Sequence, residues 1–180
     1  MVRQETIDII QETIDIKYIL MAYDLLRRRR GTMVIKQLSV FIENREGRLE
    51  RVTEALKERN INIASFSLAD TSEYGLLRMI VSDPEEGKKV LKEEGFSATL
   101  TDVIAVKIAQ KPGTLHEVLK VLFDAGISVE YMYTLATAGV DTSIIMKLSD
   151  FEAALRALET SKYEICAAKD AYELNNSVDK

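Results

Sequence analysis

The sequence contains one cysteine, Cys166, and one histidine, His116. A single cysteine makes no internal disulfide, and one of each is too few for a Cys/His metal site. A basic surplus is also missing: 24 Lys and Arg stand against 29 Asp and Glu, for a net charge of −5. That speaks against a broad nucleic-acid or acidic-membrane surface, since both require a positive face. No apolar run approaches the roughly 20 residues of a membrane span. Residues 1–32 lack the apolar stretch and small-residue cleavage site of a secretory signal, so a cytoplasmic protein is expected. Paired catalytic carboxylates, a nucleophile–histidine arrangement and a phosphate-binding glycine loop are not readable either. We therefore expect no enzymatic activity, no cofactor and no metal.

What is present is the composition of a soluble globular chain. It has 180 residues, 47% of them hydrophobic and 29% charged, enough for one domain or two small ones. Residues 1–32 differ from the rest. Gln4-Glu5-Thr6-Ile7-Asp8-Ile9 recurs as Gln11-Glu12-Thr13-Ile14-Asp15-Ile16, and Ile7, Ile14 and Met21 keep the spacing, which suits an amphipathic helix. The run Arg27-Arg28-Arg29-Arg30 ahead of Gly31 suits a basic patch for a partner or a solvated helix end. A third reading takes it as a translated purine-rich ribosome-binding sequence with the true start at Met33. The segment 1–32 is thus an extension that is either helical or not translated.

From Met33 onward the hydrophobic period alternates between two and 3.6. Leu38, Val40 and Ile42 read as a strand, and Leu49, Val52 and Leu56 as a helix stripe that Asn60 ends in a left-handed C′ position. Ile61 to Ala69 and Tyr74 to Val81 read as strands joined at Thr71-Ser72-Glu73. Asp83 is an N-cap, Pro84 fits the first helical position and Glu86 completes a capping-box pattern. Gly95 ends that helix and Phe96 to Asp102 is a fourth strand. The second half repeats this order. Val103 to Ala109 is a strand, and Leu115, Val118, Leu119, Leu122 and Phe123 form a helix stripe ended by Gly126. Ile127 to Thr137 and Asp141 to Leu148 are strands, Asp150 caps a helix, and Tyr163 to Ala167 closes the unit. At an offset of 66, Gly47 meets Gly113, Leu49 meets Leu115, Val52 meets Val118, Leu56 meets Leu122 and Ile61 meets Ile127. We read this as internal duplication.

The expected fold class is α+β: two ferredoxin-like βαββαβ units, residues 33–101 and 102–174, followed by a polar tail at 175–180. Each unit is an antiparallel sheet with two helices on one face. The second strand of such a unit lies at the sheet edge, and an edge seeks a partner. A core of about 65–70 residues is marginal alone, so the units are expected to pair edge to edge, within the chain or between chains.

The two turns that open the first helix of each half carry the candidate site. They are Asn44-Arg45-Glu46-Gly47-Arg48-Leu49 and Gln110-Lys111-Pro112-Gly113-Thr114-Leu115. The first N–H groups of a helix have no intrahelical partner, the macrodipole adds partial positive charge there, and a Gly before the helix leaves the backbone open. Such a turn can hold a small anion such as a carboxylate. It can equally be a tight turn and nothing more.

With Asn-x-x-Gly-x-Leu opening the first helix and Ile-Asn-Ile (Ile61 to Ile63) opening the second strand, the chain from Lys36 to about Leu174 resembles proteins made of two ACT domains. Asn44 and Asn62 are similar to the asparagine pair with which the ACT domain that regulates phosphoglycerate dehydrogenase holds its effector across an edge-paired interface. The resemblance implies a non-catalytic regulatory module. It would bind a small amino acid at the interface between ACT units and signal to an enzyme or regulator of amino-acid metabolism, as a homodimer. The implied ligand residues are Asn44, Arg45, Gly47, Arg48, Leu49, Asn62 and Ile63, and in the second half Gln110, Gly113, Thr114, Leu115 and Ser128. Glu46 stands where that family usually has Pro, and Gln110 and Ser128 replace the two asparagines, so the second site looks degenerate. The competing reading is a ligand-free dimeric adaptor that binds a partner protein. Asn44 also reads as a turn residue, Asn62 as an edge-strand residue facing water and His116 as a solvated helix residue. Tyr131 and Tyr133 read as packing or as neighbours of a pocket mouth, and Cys166 as a small buried residue.

Overall fold

Alternation along the first strand decides where its side chains go. β1 (Ile35–Glu43) sends Leu38, Val40 and Ile42 to one face and Ile35, Gln37, Ser39 and Phe41 to the other. The computed structural model describes residues 32–70, 74–135 and 141–173. The expectations for 1–31, for the turn at Thr71-Ser72-Glu73, for Ala136 and Thr137 and for the tail from Asn175 fall outside these residues. After β1 come α1 (Arg48–Glu58), β2 (Ile63–Asp70), β3 (Tyr74–Val81), α2 (Pro84–Glu93) and β4 (Ser97–Ala109). The second half supplies α3 (Thr114–Asp124), β5 (Val129–Leu135), β6 (Asp141–Leu148), α4 (Phe151–Thr160) and α5 (Ala168–Glu173). The strands form one sheet in the order β2-β3-β1-β4-β6-β5, with every pair antiparallel. The two ferredoxin-like units are therefore present, with their helices on one face of a curled sheet. Among the described residues no helix is long and apolar enough to cross a membrane.

The two strands expected at Phe96–Asp102 and Val103–Ala109 are one. β4 pairs with β1 from Ser97 to Val103 and with β6 from Ile104 to Ala109. No Gly or Pro interrupts it, and one alternation runs its whole length. Ala98 faces the first helix pair, Ile104 and Val106 face the second, and Val103 and Ala105 face away from both. The closing strand expected at Tyr163 to Ala167 is reduced to a single bridge between Val106 and Ile165. It is flanked by bonds from Lys107 N to the Glu164 carbonyl (2.9 Å) and Cys166 N to the Ala105 carbonyl (2.8 Å). The chain then turns into α5, whose Ala171 is buried and whose Tyr172 hydroxyl accepts from Lys36 N at 2.7 Å.

The helices end as their sequences dictate. Asn60, with φ 54°, and Gly126, with φ 72°, take left-handed C′ positions. The next amides, Ile61 N and Ile127 N, reach back to the Leu56 and Leu122 carbonyls at 2.9 Å, the six-to-one bond of a Schellman end. Asp83 and Asp150 cap α2 and α4 by accepting from Glu86 N and Ala153 N. Glu86 does not complete a capping box, because its carboxylate binds Arg59 and Lys89 instead, each at 3.3 Å.

Both sheet faces carry buried cores. On the helix side, Leu38, Val40, Val52, Leu56 and Leu91 form one core, and Ile104, Val106, Val118, Leu122 and Leu158 form its counterpart. On the other side the sheet curls over a third core of Ile35, Ile80, Val103, Leu135 and Ile145. A polar network crosses this interior. Gln37, fully buried, donates from its amide nitrogen to Ser39 Oγ (2.8 Å) and Tyr131 OH (2.9 Å) and accepts from Tyr133 OH (2.9 Å). The Arg78 guanidinium lies 4.0 Å from the Tyr131 ring centroid. The sheet's outer strands meet where Ser65 Oγ donates to the Thr134 carbonyl at 2.7 Å. The units are thus tied at their edges as well as through β4, and neither depends on a small core of its own.

Candidate functional site

The turn before α1 is built from Glu43 onward. Arg45 N donates to the Glu43 carbonyl at 2.8 Å and Arg48 N to the Arg45 carbonyl at 3.3 Å. This course puts Gly47 at φ 77°, ψ −10° as the N-cap of α1. A Cβ there would meet nothing within 4 Å, so glycine is required for its left-handed backbone and not for close packing. Gly113, at φ 95°, repeats the arrangement before α3. Neither α1 nor α3 has a side-chain cap, whereas α2 and α4 both do. Arg48 N and Thr114 N donate within their turns, to the Arg45 and Lys111 carbonyls, but the later first-turn amides of these two helices lack the aspartate that Glu86 N and Ala153 N have.

Asn44, Arg45, Gly47 and Asn62 are exposed. The Arg45 and Arg48 guanidinium groups lie 3.6 and 3.9 Å from the Glu43 carboxylate. Arg48 also stacks over the Phe96 ring at 4.5 Å, which leaves its Nε buried and without a hydrogen-bond partner. Asn62 holds Ser82 by its backbone: Asn62 N donates to Ser82 Oγ at 3.0 Å and Ser82 N to the Asn62 carbonyl at 2.9 Å. Ser128 and Ser149 repeat this pair in the second half.

Register separates the two asparagines. Asn44 follows Glu43, which pairs with Tyr74 at the start of β3, whereas Asn62 bonds to Ser82, just past the end of β3. With a rise of about 3.3 Å per residue, the length of β3 sets them about 25 Å apart. Within one copy they do not reach one amino-acid ligand.

The structure brings Leu49 and Ile63 together in an open cavity of about 220 Å³ between α1, β2 and β3. The remaining lining residues are Thr53, Phe66, Leu68, Leu77 and Met79. α1 and α2 pack over β1, β3 and β4, so the helix-side residues of the outer strand are left as an apolar wall. Phe66 is 69% exposed and Leu68 47%. Sequence reading missed these five residues. The available signal was the Phe66-x-Leu68 alternation on a strand already assigned to the edge.

In the second half the candidate side chains are committed to structure. Gln110 Nε2 donates to Thr142 Oγ1 at 2.8 Å, and Thr114 Oγ1 donates to the Ala109 carbonyl at 2.7 Å. Leu115 packs against the second helix-side core, and Ser128 is exposed. His116 is exposed. Tyr131 and Tyr133 lie in the interior network instead of at a pocket mouth. Burial raises the Tyr133 pKa above the ordinary tyrosine value, Tyr131 raises it further and Arg78 offsets part of the rise. Cys166 is buried, 3.2 Å from Ser143 Oγ.

A family model described as an ACT domain pair matches residues 33–174. Among solved structures, protein BT0572 from Bacteroides thetaiotaomicron is 39% identical, with a TM-score of 0.75 over 79% of this chain and 98% of that one. The regulatory subunit of aspartate kinase from Thermus thermophilus, in a ligand-free form, is 23% identical with a TM-score of 0.55, covering 72% of this chain and 93% of that one. Its counterpart from Thermus flavus is 23% identical with a TM-score of 0.53, covering 72% and 94%. At these identities the two subunits share the fold. No curated protein matches the chain.

Proposed function

The chain belongs to the family of ACT domain pairs, and from that premise we propose that it is a non-catalytic regulatory module that binds a free amino acid at the rim of its first unit. The site is completed by the first unit of a second copy. The ligand's carboxylate takes the N–H groups left open in the first turn of α1 after Gly47, from Leu49 onward, the Arg48 N–H being held by the Arg45 carbonyl. Asn44 of one copy and Asn62 of the other bracket its polar end. An Asn offers both donors and acceptors, so a zwitterion is met without an unpaired buried charge.

The observation that carries this reading is the cavity walled by Leu49 and Ile63 beside an uncapped helix start. The register supports the second copy. β2 ends the hydrogen-bonded strand order, and its last residue, Asp70, pairs with Gly75 at the end of the unit where α1 begins. Antiparallel pairing of two β2 strands would bring Asn62 of one copy to the α1 turn of the other. Binding there would set the geometry between copies, and a partner enzyme or regulator would read that geometry. Thermal denaturation with each of the twenty amino acids tests the proposal. A ligand at 100 times its dissociation constant adds about 2.7 kcal/mol of stability, and Asn44→Ala or Asn62→Ala removes that gain while the protein stays folded. A ligand-free adaptor is the second reading. The exposed aromatics Phe41 and Phe123 favour it, and it predicts no stabilisation by any amino acid.

A further inference from the structure

We infer that the ligand's side chain is apolar and of the size of leucine, isoleucine, methionine or phenylalanine, and that only the first unit accepts it. The inference rests on the amino-acid reading above and goes beyond it by naming the ligand class. It starts from the chemistry of the cavity wall. Six of the seven lining residues, Leu49, Ile63, Phe66, Leu68, Leu77 and Met79, have no side-chain group able to pair with a charge or a hydroxyl. The seventh, Thr53, uses its hydroxyl on its own helix, donating to the Glu50 carbonyl at 2.8 Å. A lysine, aspartate, serine or threonine ligand would bury its side-chain polar group against this wall without a partner.

Size narrows the class further. The 220 Å³ of the cavity is about the volume of seven waters, which is room for one branched, thioether or phenyl side chain. The adjacent open helix start supplies the complementary charge for the ligand's carboxylate, so one end of the occupant is anionic and the other apolar.

The second unit does not offer the same groove. At the repeat offset, Thr53 becomes Leu119, Phe66 becomes Met132 and Leu68 becomes Thr134. Leu119 puts a longer aliphatic chain where Thr53 leaves room, and Thr134 replaces one apolar wall residue with a hydroxyl. The duplication therefore keeps the turn in both halves and the cavity chemistry in one.

Calorimetric titration of the full chain tests this, with leucine, isoleucine, methionine and phenylalanine on one side and serine, threonine, aspartate and lysine on the other. At least one apolar amino acid binds, roughly 100-fold or more tighter than any polar one, because a missing methylene costs about 10- to 200-fold in such a pocket and a buried charge or hydroxyl finds no partner on its wall. Thr53→Leu, which copies the second unit, weakens the apolar ligand at least 10-fold at an unchanged urea midpoint, and Thr53→Ser retains it. Tighter binding of a polar amino acid, or an apolar affinity unmoved by Thr53→Leu, overturns the inference while amino-acid binding stands. Binding of none of the eight overturns the inference, and stabilisation by none of the twenty amino acids overturns the amino-acid reading as well. Self-association that Thr53→Leu weakens, with no heat from any amino acid, assigns the groove to a second copy and overturns the inference.

Discussion

The phenol of Tyr133 in the second unit donates to the side-chain carbonyl of Gln37 in the first, at 2.9 Å. This bond crosses the interior between the repeats, where Gln37 also donates to Tyr131 and Ser39. Tyr133→Phe removes one partner and leaves a buried carbonyl acceptor without it, at a cost of about 1–3 kcal/mol. Gln37→Ala strands three groups and costs more than Tyr133→Phe. Urea denaturation at neutral pH checks both, with a lowered midpoint and an unchanged slope.

Burial of the same phenol gives the protein an alkaline limit. Burial, then the neighbouring Tyr131, hold the Tyr133 pKa above its ordinary value of about 10. A group whose pKa is raised on folding contributes stability that is fully present below the unfolded value and is lost as pH rises past it. Stability therefore falls with pH above about 10. In Tyr133→Phe the fall is shallower, as a pH series of thermal midpoints will record.

Gly47→Ala and Gly113→Ala should each cost about 1–2 kcal/mol, because each forces a residue with a Cβ into left-handed backbone. Nothing stands within 4 Å of either added Cβ, so the loss is conformational and not steric. Asn, which tolerates this region better, should lose less than Ala at both positions. Chemical denaturation of the four variants tests the ranking.

Asp83→Ala and Asp150→Ala should each lose about 0.5–2 kcal/mol, since each carboxylate accepts an amide of its helix's first turn. The two losses should add, because the caps belong to different units and share no partner. The double variant's denaturation midpoint measures this.

Particular residues show how far the sequence could be read. Asn60, Gly126, Asp83 and Asp150 do what their chemistry requires, because caps depend on neighbours within one helical turn. The fusion of two strands into β4 was hidden because the repeat offset marks where the pattern restarts, not whether the backbone turns there. Lys162 adopts φ 63°, and no composition signal announces a left-handed lysine. The Gln37 network joins residues 94 and 96 positions apart, so it becomes visible only once the sheet has curled. Leu49 and Ile63 were legible as residues of the helix-opening turn and the edge strand, and both line the cavity. The exposure of Phe66 and Leu68 was not legible, because it depends on where the helices leave β2 uncovered.

A mixing experiment tests the central claim most directly. Asn44→Ala and Asn62→Ala chains are prepared separately, unfolded and refolded together, then titrated by calorimetry with the amino acid that stabilises the parent protein. If the site takes one asparagine from each of two copies, each variant alone binds nothing, and the mixture recovers binding in its mixed dimers, one intact site in each. A mixture as inert as its components, or single variants that bind like the parent, would contradict the account.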